Sequence, residues 1–248
     1  MRVPSPFRLL PACSGLCAAL LLTATFAYAD DKKPDHSAVK PNERKDKGAV
    51  SLHERFLGIA KKGDVDLLFL GDSITQGWGG NGKEVWKKHF ELLKAANFGI
   101  GGDKTEHVLW RITEGKELEG ITPKAAVLMI GTNNMGANNA EQIADGITAI
   151  VAELRKQKPD MHILLLGVFP RAKDGTDERR AKIKDINGRA AKLDDGKKVH
   201  YLDIGEKFLE KDGSLSKDIM PDYLHLSEKG YTIWAEAIND QVEKMLKK

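Results

Sequence analysis

Three side chains that together could hydrolyse an ester stand far apart in the sequence. Ser73 follows an apolar run and lies within Gly-Asp-Ser-Ile-Thr, residues 71–75. Asp222 and His225 stand three residues apart, shortly before the last helical segment. A carboxylate this close to a histidine can accept a hydrogen bond from one ring nitrogen, which leaves the other nitrogen to take a proton from a serine. The same pair could equally be an exposed histidine beside an unrelated aspartate.

Ester hydrolysis also needs donors for the negative oxygen of the intermediate, and two segments offer them. Residues 97–103 read Asn-Phe-Gly-Ile-Gly-Gly-Asp, and glycines at a strand-to-helix turn let backbone N–H groups point at a small anion. Lys104 stands where a dinucleotide-binding motif has its third glycine, which argues against that motif. Residues 131–134 read Gly-Thr-Asn-Asn, and the amide of Asn133 could donate to the same oxygen. The alternatives are a tight turn without a ligand and an asparagine that only ends a strand.

Alternating apolar and amphipathic segments predict the elements that position these residues. Five short apolar segments read as strands, at residues 65–70, 95–98, 125–130, 161–168 and 199–204. Helical candidates lie at residues 52–61, 83–93, 105–118, 140–156 and 177–193, and Ser227 reads as the N-cap of a final helix. Strands that alternate with helices predict a parallel sheet covered on both faces. We therefore expect a doubly wound, flavodoxin-like five-stranded α/β/α sheet, with all the candidate residues at its carboxyl edge.

The first 50 residues differ in composition from the rest of the chain. Residues 1–29 combine early arginines, an apolar stretch and Ala-Tyr-Ala at the end, a pattern typical of a secretory signal peptide, with an uncleaved anchor as the alternative. Residues 30–50 are polar and contain two prolines, which predicts a disordered linker. Residues 51–248 are predicted to be the folded domain. We expect an exported protein, either periplasmic or extracellular.

Composition and charge argue against several other classes of function. The net charge of +3 over 248 residues gives no sign of nucleic acid binding. Cys13 and Cys17 both lie in the signal segment, so cleavage would remove any thiol nucleophile and any disulfide. No metal-ligand spacing and no phosphate-binding motif is present, so we expect neither a metal nor a cofactor. After signal cleavage we expect no stable membrane insertion.

Taken together, the candidate segments resemble the sequence blocks of the SGNH, or GDSL, hydrolase family. Gly-Asp-Ser-Ile, Asn-Phe-Gly-Ile-Gly-Gly-Asp, Gly-Thr-Asn-Asn and Asp-Tyr-Leu-His-Leu-Ser occur in the family's order, and the likeness runs from about Ser51 to the last helix. Within the family the chain looks most similar to the alpha subunits of the intracellular platelet-activating-factor acetylhydrolases. This likeness is strongest at residues 97–102, 107–111 and 222–227. The resemblance implies the SGNH hydrolase fold and a serine esterase.

The resemblance also implies a role for each candidate residue. Ser73 would be the nucleophile, His225 the general base and acid, and Asp222 the carboxylate that orients the imidazole. The backbone N–H groups of Ser73 and Gly102, together with the side chain of Asn133, would form the oxyanion hole.

The substrate is indicated by two differences from the acetylhydrolase alpha subunits. Residues 77–82 look closer to bacterial family members that deacylate carbohydrates, and those subunits are intracellular whereas this chain carries an export signal. Both differences argue against a phospholipid-like substrate, and no long apolar insertion is evident that could line a fatty-acyl channel. We therefore expect hydrolysis of short acyl esters, chiefly acetyl, of a carbohydrate or similar polar alcohol, with Trp78 and Asn134 binding the substrate. A lipid ester or thioester hydrolase and a non-catalytic carbohydrate-binding protein are the alternatives. The expected partner is a small-molecule or glycan ester, and a homodimer is left open.

Overall fold

Five strands join into one parallel sheet in the computed structural model, which describes residue 1 and residues 34–247. The strands are β1 (Leu67–Gly71), β2 (Ala95–Gly99), β3 (Ala125–Met129), β4 (His162–Leu166) and β5 (Val199–Leu202). Their order across the sheet is β2-β1-β3-β4-β5, and every neighbouring pair is parallel. This is the flavodoxin-like order, so the prediction of a doubly wound parallel sheet is confirmed.

Seven α-helices accompany the strands in the described residues. They are α1 (Lys47–Lys62), α2 (Ser73–Gln76), α3 (Lys83–His89), α4 (Thr105–Ile112), α5 (Ala140–Gln157), α6 (Glu178–Ala190) and α7 (Glu228–Leu246). Short 3-10 turns lie at Ser37–Val39, Gly77–Gly79, Glu91–Leu93, Thr132–Asn134, Ala191–Leu193 and Gly205–Phe208. Among the described helices, none has the length and apolar character needed to cross a membrane.

The helices divide into two layers because successive side chains of a strand point to opposite faces of the sheet. Leu68 and Leu70 of β1 pack with residues of α1, α4, α5 and α6 in one apolar cluster. Leu67 and Phe69 pack with residues of α3 and α7 in the other. All five residues of β1 are buried, which explains why the strand reads as a continuous apolar run instead of an alternating one.

The carboxyl end of β1 turns at once into helix α2, whose first residue is Ser73. Asp72 is the N-cap, and its Oδ1 accepts a hydrogen bond from the N–H of Ile74 at 2.9 Å. Gly99 at the end of β2 lies so close to α2 that a Cβ there would collide with the backbone of Gln76. This cap and this glycine hold Ser73 at the carboxyl edge of the sheet.

The N-terminal boundary of the domain differs from the prediction. The predicted signal peptide, except Met1, lies outside the described residues, but residues 34–50 are packed onto the domain. Ala38 is fully buried and its carbonyl accepts from Thr105 Oγ1 at 2.9 Å. Asp46 caps α1, which begins at Lys47. The prediction of a disordered linker is wrong for residues 34–50. The segment is polar and has no apolar stripe, so its composition gave no sign of order, but a few specific contacts hold it on the domain.

The predicted helix over residues 105–118 is also shorter than expected. It ends at Ile112, and the chain turns back so that Glu117 Oε2 accepts from Arg111 Nη1 at 2.6 Å. Both side chains are almost completely buried. The final helix agrees with its predicted start, because Ser227 Oγ accepts from the N–H of Gly230 at 3.2 Å.

Candidate active site

The structure brings Ser73, His225 and Asp222 into one hydrogen-bonded chain. Ser73 Oγ lies 2.9 Å from His225 Nε2, and His225 Nδ1 lies 2.7 Å from Asp222 Oδ2. A carboxylate can only accept, so Nδ1 donates its proton and Nε2 is left free to accept from the serine hydroxyl. This arrangement can deprotonate a serine as it attacks a carbonyl carbon.

Asp222 also shapes the loop that presents the histidine. Its Oδ1 accepts from the backbone N–H of Leu224 at 3.0 Å and from that of His225 at 2.7 Å. Tyr223, which follows Asp222, has a φ of 59°. Partial burial tends to raise the pKa of Asp222, but the hydrogen bonds from the side chain and backbone of His225 prevail and lower it. The carboxylate is therefore ionised at neutral pH, as a group that orients an imidazolium must be.

The imidazole and the carboxylate are open to solvent. The side chain of His225 is 44% exposed and that of Asp222 is 55% exposed. Ser73 is half-buried at the start of α2. A site this open admits a bulky ester whose alcohol extends into solvent.

The predicted oxyanion donors lie next to the serine. Gly102 has a φ of 81°, and in the described part of the chain its N–H has no acceptor. The neighbouring Gly101 approaches Ser73 so closely that a Cβ on it would lie 3.6 Å from the serine Cβ. Ser73 occupies the first position of α2, where a backbone N–H has no partner inside the helix. Asn133 Nδ2 donates to the carbonyl of Asp103 at 2.9 Å, which uses one of its two N–H groups and leaves the second available.

Two predicted substrate-binding residues are not available to a substrate. Trp78 is 1% exposed. The centroid of its ring lies 4.6 Å from that of Tyr231 and 4.9 Å from that of Trp234. Asn134 is 0% exposed and its amide is engaged by Thr105 and Glu106. Both predictions are wrong, because the aromatic ring belongs to the core and the amide fixes the start of α4.

Several residues that support the site carried no signal in the sequence analysis. Gln76 Oε1 accepts from the N–H of Gly101 at 2.7 Å. Asp103 is 0% exposed and accepts from Arg111 Nε at 2.9 Å. Arg44 donates to the carbonyl of Gly101. Asp103 could have been suspected as the only carboxylate in the glycine segment, but Arg44 lies in the segment that composition marked as a linker.

Asp72 is a second aspartate next to Ser73, in surroundings opposite to those of Asp222. It is 0% exposed, and its Oδ2 finds no hydrogen-bond partner among the described residues. Burial raises its pKa to about 7, and the negative charge of Asp103 adds to this effect, while the hydrogen bond from Ile74 opposes it. Near neutral pH this carboxyl is therefore partly protonated, in contrast to Asp222.

A cavity of about 530 Å³ opens beside Asp222 on the side of the loop that follows β4. Most of its lining is polar or charged: Arg171, Ala172, Lys173, Asp174, Thr176, Asp177, Arg179, Asp222, Tyr223 and Leu224. Arg171 Nη1 donates to Thr132 Oγ1 at 3.1 Å, which links this cavity to the segment carrying Asn133. Positive and negative side chains are mixed here, so the cavity suits a polar group of either charge.

The sequence of this domain matches a known family. Residues 69–233 match the model of the GDSL-like Lipase/Acylhydrolase family, which is more than half of the chain. The chain belongs to this family. Human platelet-activating factor acetylhydrolase IB subunit alpha1 is 41% identical to this acylhydrolase over 199 residues, covering 79% of this chain and 84% of the human one. The chicken alpha2 subunit is 38% identical over 197 residues, covering 79% and 84%.

A solved structure agrees with the fold of this GDSL-like acylhydrolase. A GDSL-like lipase from Bacteroides thetaiotaomicron superposes with a TM-score of 0.61 at 23% identity, covering 77% of this chain and 97% of that one. This likeness concerns the fold alone. The family and the acetylhydrolase relatives make this chain an ester hydrolase.

Proposed function

We propose that this chain is a serine esterase that removes short acyl groups, chiefly acetyl, from a carbohydrate or a similar polar alcohol. The observation that carries the proposal is the hydrogen-bonded chain from Ser73 Oγ through His225 to Asp222. Membership of an acylhydrolase family gives the reaction class, and this geometry supports Ser73, His225 and Asp222 as the residues that would perform it.

The reaction would proceed in two steps through an acyl-enzyme. Ser73 Oγ bonds to the carbonyl carbon of the ester while its proton passes to His225 Nε2. The tetrahedral intermediate then breaks its bond to the alcohol oxygen, which leaves with the proton held by His225. In the second step His225 takes a proton from water and the hydroxide adds to the acyl carbon. The second tetrahedral intermediate then breaks its bond to Ser73 Oγ, which takes the proton back from His225, and the carboxylic acid leaves.

The negative oxygen of both intermediates would be held by three donors. These are the N–H groups of Ser73 and Gly102 and the second N–H of the Asn133 amide. Donors that are already in place stabilise the charge as it develops, without the reorganisation that water would require.

A polar alcohol fits the surroundings of the site. The adjoining cavity is lined mainly by charged and polar side chains. In residues 34–247 the one strongly exposed large hydrophobic side chain is Leu92, and the partly exposed Tyr223 and Leu224 are the only large apolar side chains that line this cavity. These features support a short acyl group and a hydrophilic leaving group.

A second candidate function is hydrolysis of the acetyl ester of a phospholipid. It is favoured by the curated relatives at about 40% identity, which are platelet-activating factor acetylhydrolase subunits. Both candidates share the acetyl group and the acyl-enzyme, so they differ only in the alcohol that leaves.

The test of the catalytic proposal uses p-nitrophenyl esters from acetyl to lauroyl with the purified chain. We expect the acetyl ester to be turned over fastest, and Ser73→Ala to lose at least about 10³-fold in kcat. Ser51→Ala, an exposed serine on α1, is the matched control and should behave like the wild type. Near-normal turnover by Ser73→Ala would refute the proposal, and failure of a fluorophosphonate to label Ser73 would favour a non-catalytic binding protein.

The two alcohols are compared directly with an acetylated oligosaccharide and a 2-acetyl phospholipid. We expect the larger kcat/KM for the oligosaccharide. A larger value for the phospholipid would replace the first candidate with the second, and the Ser73→Ala variant would serve as the blank for both substrates.

We also propose that the protein is exported to the periplasm or the extracellular space. The support is the pattern of residues 1–29, with a basic start, an apolar stretch and Ala-Tyr-Ala before Asp30. Fractionation of the producing cell followed by mass spectrometry should find a chain that begins at Asp30 outside the cytoplasm. An unprocessed chain in the cytoplasm would contradict export.

A further inference from the structure

Arg44 reaches from the segment before α1 to the glycine segment beside Ser73. Its Nη1 donates to the carbonyl of Gly101 and also to Asp103 Oδ1 at 3.1 Å. Its guanidinium also packs against Gly102, where a Cβ would lie 3.4 Å from Nη1. The arginine side chain is 23% exposed and that of Asp103 is 1% exposed, so this contact is largely removed from water.

The carbonyl that Arg44 holds belongs to the same peptide group as the N–H of Gly102. A peptide group is planar and trans, so its C=O and N–H point in opposite directions. Fixing the direction of the Gly101 oxygen therefore fixes the direction of the Gly102 N–H. A cation that hydrogen bonds to the oxygen also polarises the amide and makes its N–H a stronger donor.

The other attachments of this turn leave that peptide dependent on Arg44. The N–H of Gly101 is held by Gln76 Oε1 at 2.7 Å, and the carbonyl of Asp103 is held by Asn133 Nδ2 at 2.9 Å. Neither bond reaches the peptide between Gly101 and Gly102. The N–H of Asp103 also donates to the carbonyl of Ile100 at 3.1 Å and closes the turn around this peptide, but such a bond forms with the central peptide of a turn in either of its two orientations. A glycine on either side of a peptide lets it rotate more freely than other residues would, which makes a dedicated hydrogen bond useful.

The polar segment before α1 is built to place this arginine. Arg44 Nε donates to Asp46 Oδ2 at 2.9 Å, and Asp46 in turn caps α1. Upstream, the N–H of Asn42 donates to the carbonyl of Glu106 at 3.0 Å. The guanidinium is therefore fixed from the side of its own segment as well as by the glycine turn.

We propose that Arg44 is a positioning residue that orients and polarises the Gly101–Gly102 peptide, so that the Gly102 N–H serves as an oxyanion donor. This inference rests on the proposed function, because the donor matters only if a negative oxygen forms beside Ser73. It gives a catalytic purpose to a segment that precedes the sheet and its helices. Arg44 itself does not touch the reacting atoms.

The test measures kcat and KM for p-nitrophenyl acetate, and the affinity for a boronic acid that adds to Ser73 as a tetrahedral anion. For Arg44→Gln we expect a fall of about 10-fold in kcat, a part of the 10² to 10³ lost with a whole oxyanion donor. The boronic acid affinity should fall by the same factor and KM should change little, because the donor acts on the anion. In Arg44→Ala, added methylguanidinium should restore part of kcat.

The matched control is Lys45→Gln, an exposed neighbour with the same charge change, which should retain wild-type values. All assays are run well below the Tm of each variant, so lost stability alone would leave the boronic acid affinity unchanged. If Arg44→Gln keeps both kcat and this affinity within about twofold of the wild type, the inference is wrong. If Arg44→Gln behaves like the wild type and Ser73→Ala is inactive, only the role of Arg44 is refuted. An active Ser73→Ala would refute the proposed function itself.

Discussion

Hydrogen-bond donors around Ser73 differ in how completely they are already used. Asn133 gives one N–H to the carbonyl of Asp103 and keeps its second N–H available. The Gly102 N–H has no acceptor in the described residues. Unsatisfied donors are costly where water is excluded, and here they lie at an open edge where water can replace the substrate oxygen.

Asn133→Ala tests the oxyanion role at the scale of a single residue. We expect kcat for p-nitrophenyl acetate to fall by about 10² to 10³ while KM changes little, because the amide would act on the intermediate. The exposed Asn42→Ala is the control. Loss of affinity without loss of kcat would instead make Asn133 a substrate-binding residue.

Asp72→Asn tests the consequence of burying a carboxyl. Burial raises the pKa of Asp72 from its ordinary value of 3.8 to about 7 in the folded chain, so the folded state binds this proton more tightly. The free energy of unfolding falls as the pH rises from the ordinary pKa of this carboxyl to its pKa in the folded chain. It stays lower at every pH above the second of these values. The uncharged Asn variant should be more stable than the wild type at alkaline pH, by up to about 4 kcal/mol, and gain little in acid.

Urea unfolding of both proteins at about pH 5 and about pH 8 measures this difference. The gain from Asp72→Asn must grow between the two pH values. A gain or loss that is the same at both would show that the charge of Asp72 does not destabilise the fold.

At the scale of the elements, the contact between β2 and α2 decides where the nucleophile stands. Gly99 ends β2 directly beneath the backbone of Thr75 and Gln76 in α2. The cap from Asp72 fixes the start of the same helix. A short helix of this kind has little stability of its own, so its position is set by these neighbours.

Gly99→Ala should therefore damage stability and activity together. The new methyl group would collide with backbone atoms that cannot move independently, so we expect a loss of at least about 2 kcal/mol and a clear fall in kcat as Ser73 shifts. Gly58→Ala is the matched control, because a Cβ there meets nothing within 4 Å inside α1. That control should stabilise the protein by about 0.5 to 1 kcal/mol. Wild-type kcat in Gly99→Ala would contradict this account of α2.

At the scale of the whole molecule, the folded unit begins before the predicted boundary. Residues 34–248 form one unit by their internal contacts. The segment before α1 adds the buried Ala38, the hydrogen bond of His36 with Asp145 at 3.1 Å and the contacts of Arg44. The domain is therefore larger than the part that shows regular helix and strand patterns.

Two truncated chains test this boundary. A chain that starts at Pro34 should keep the Tm and kcat of the full chain, because it retains all of these contacts. A chain that starts at Lys47 loses them together with the Asp46 cap, so both its Tm and its kcat should fall. Equal Tm and kcat for the two truncated chains would mean that residues 34–46 contribute nothing, and circular dichroism melts with p-nitrophenyl acetate assays would show it.

The strands and their order could be predicted because their signal is local. The β1 segment is a continuous apolar run, and parallel strands joined by helices follow right-handed connections. The edge at which Ser73 lies followed from the same rule, because Ser73 comes directly after β1. Asp222 and His225 lie well beyond the end of β5 at Leu202, and their roles beside Ser73 were expected from the resemblance to the hydrolase family. Boundaries were less certain where a tertiary contact intervenes, as at Glu117, whose buried pair with Arg111 ends α4 early.

By itself, the sequence determined the parallel sheet, the edge at which the chemistry lies and the types of side chain that meet there. Only the tertiary structure decided that Trp78 is core, that Asn134 is structural and that Arg44 lies against the glycine turn. The physical reason is the range of the interactions involved. Periodicity and capping depend on neighbours in the chain, whereas burial of one ring or the partner of one guanidinium depends on residues far away in sequence.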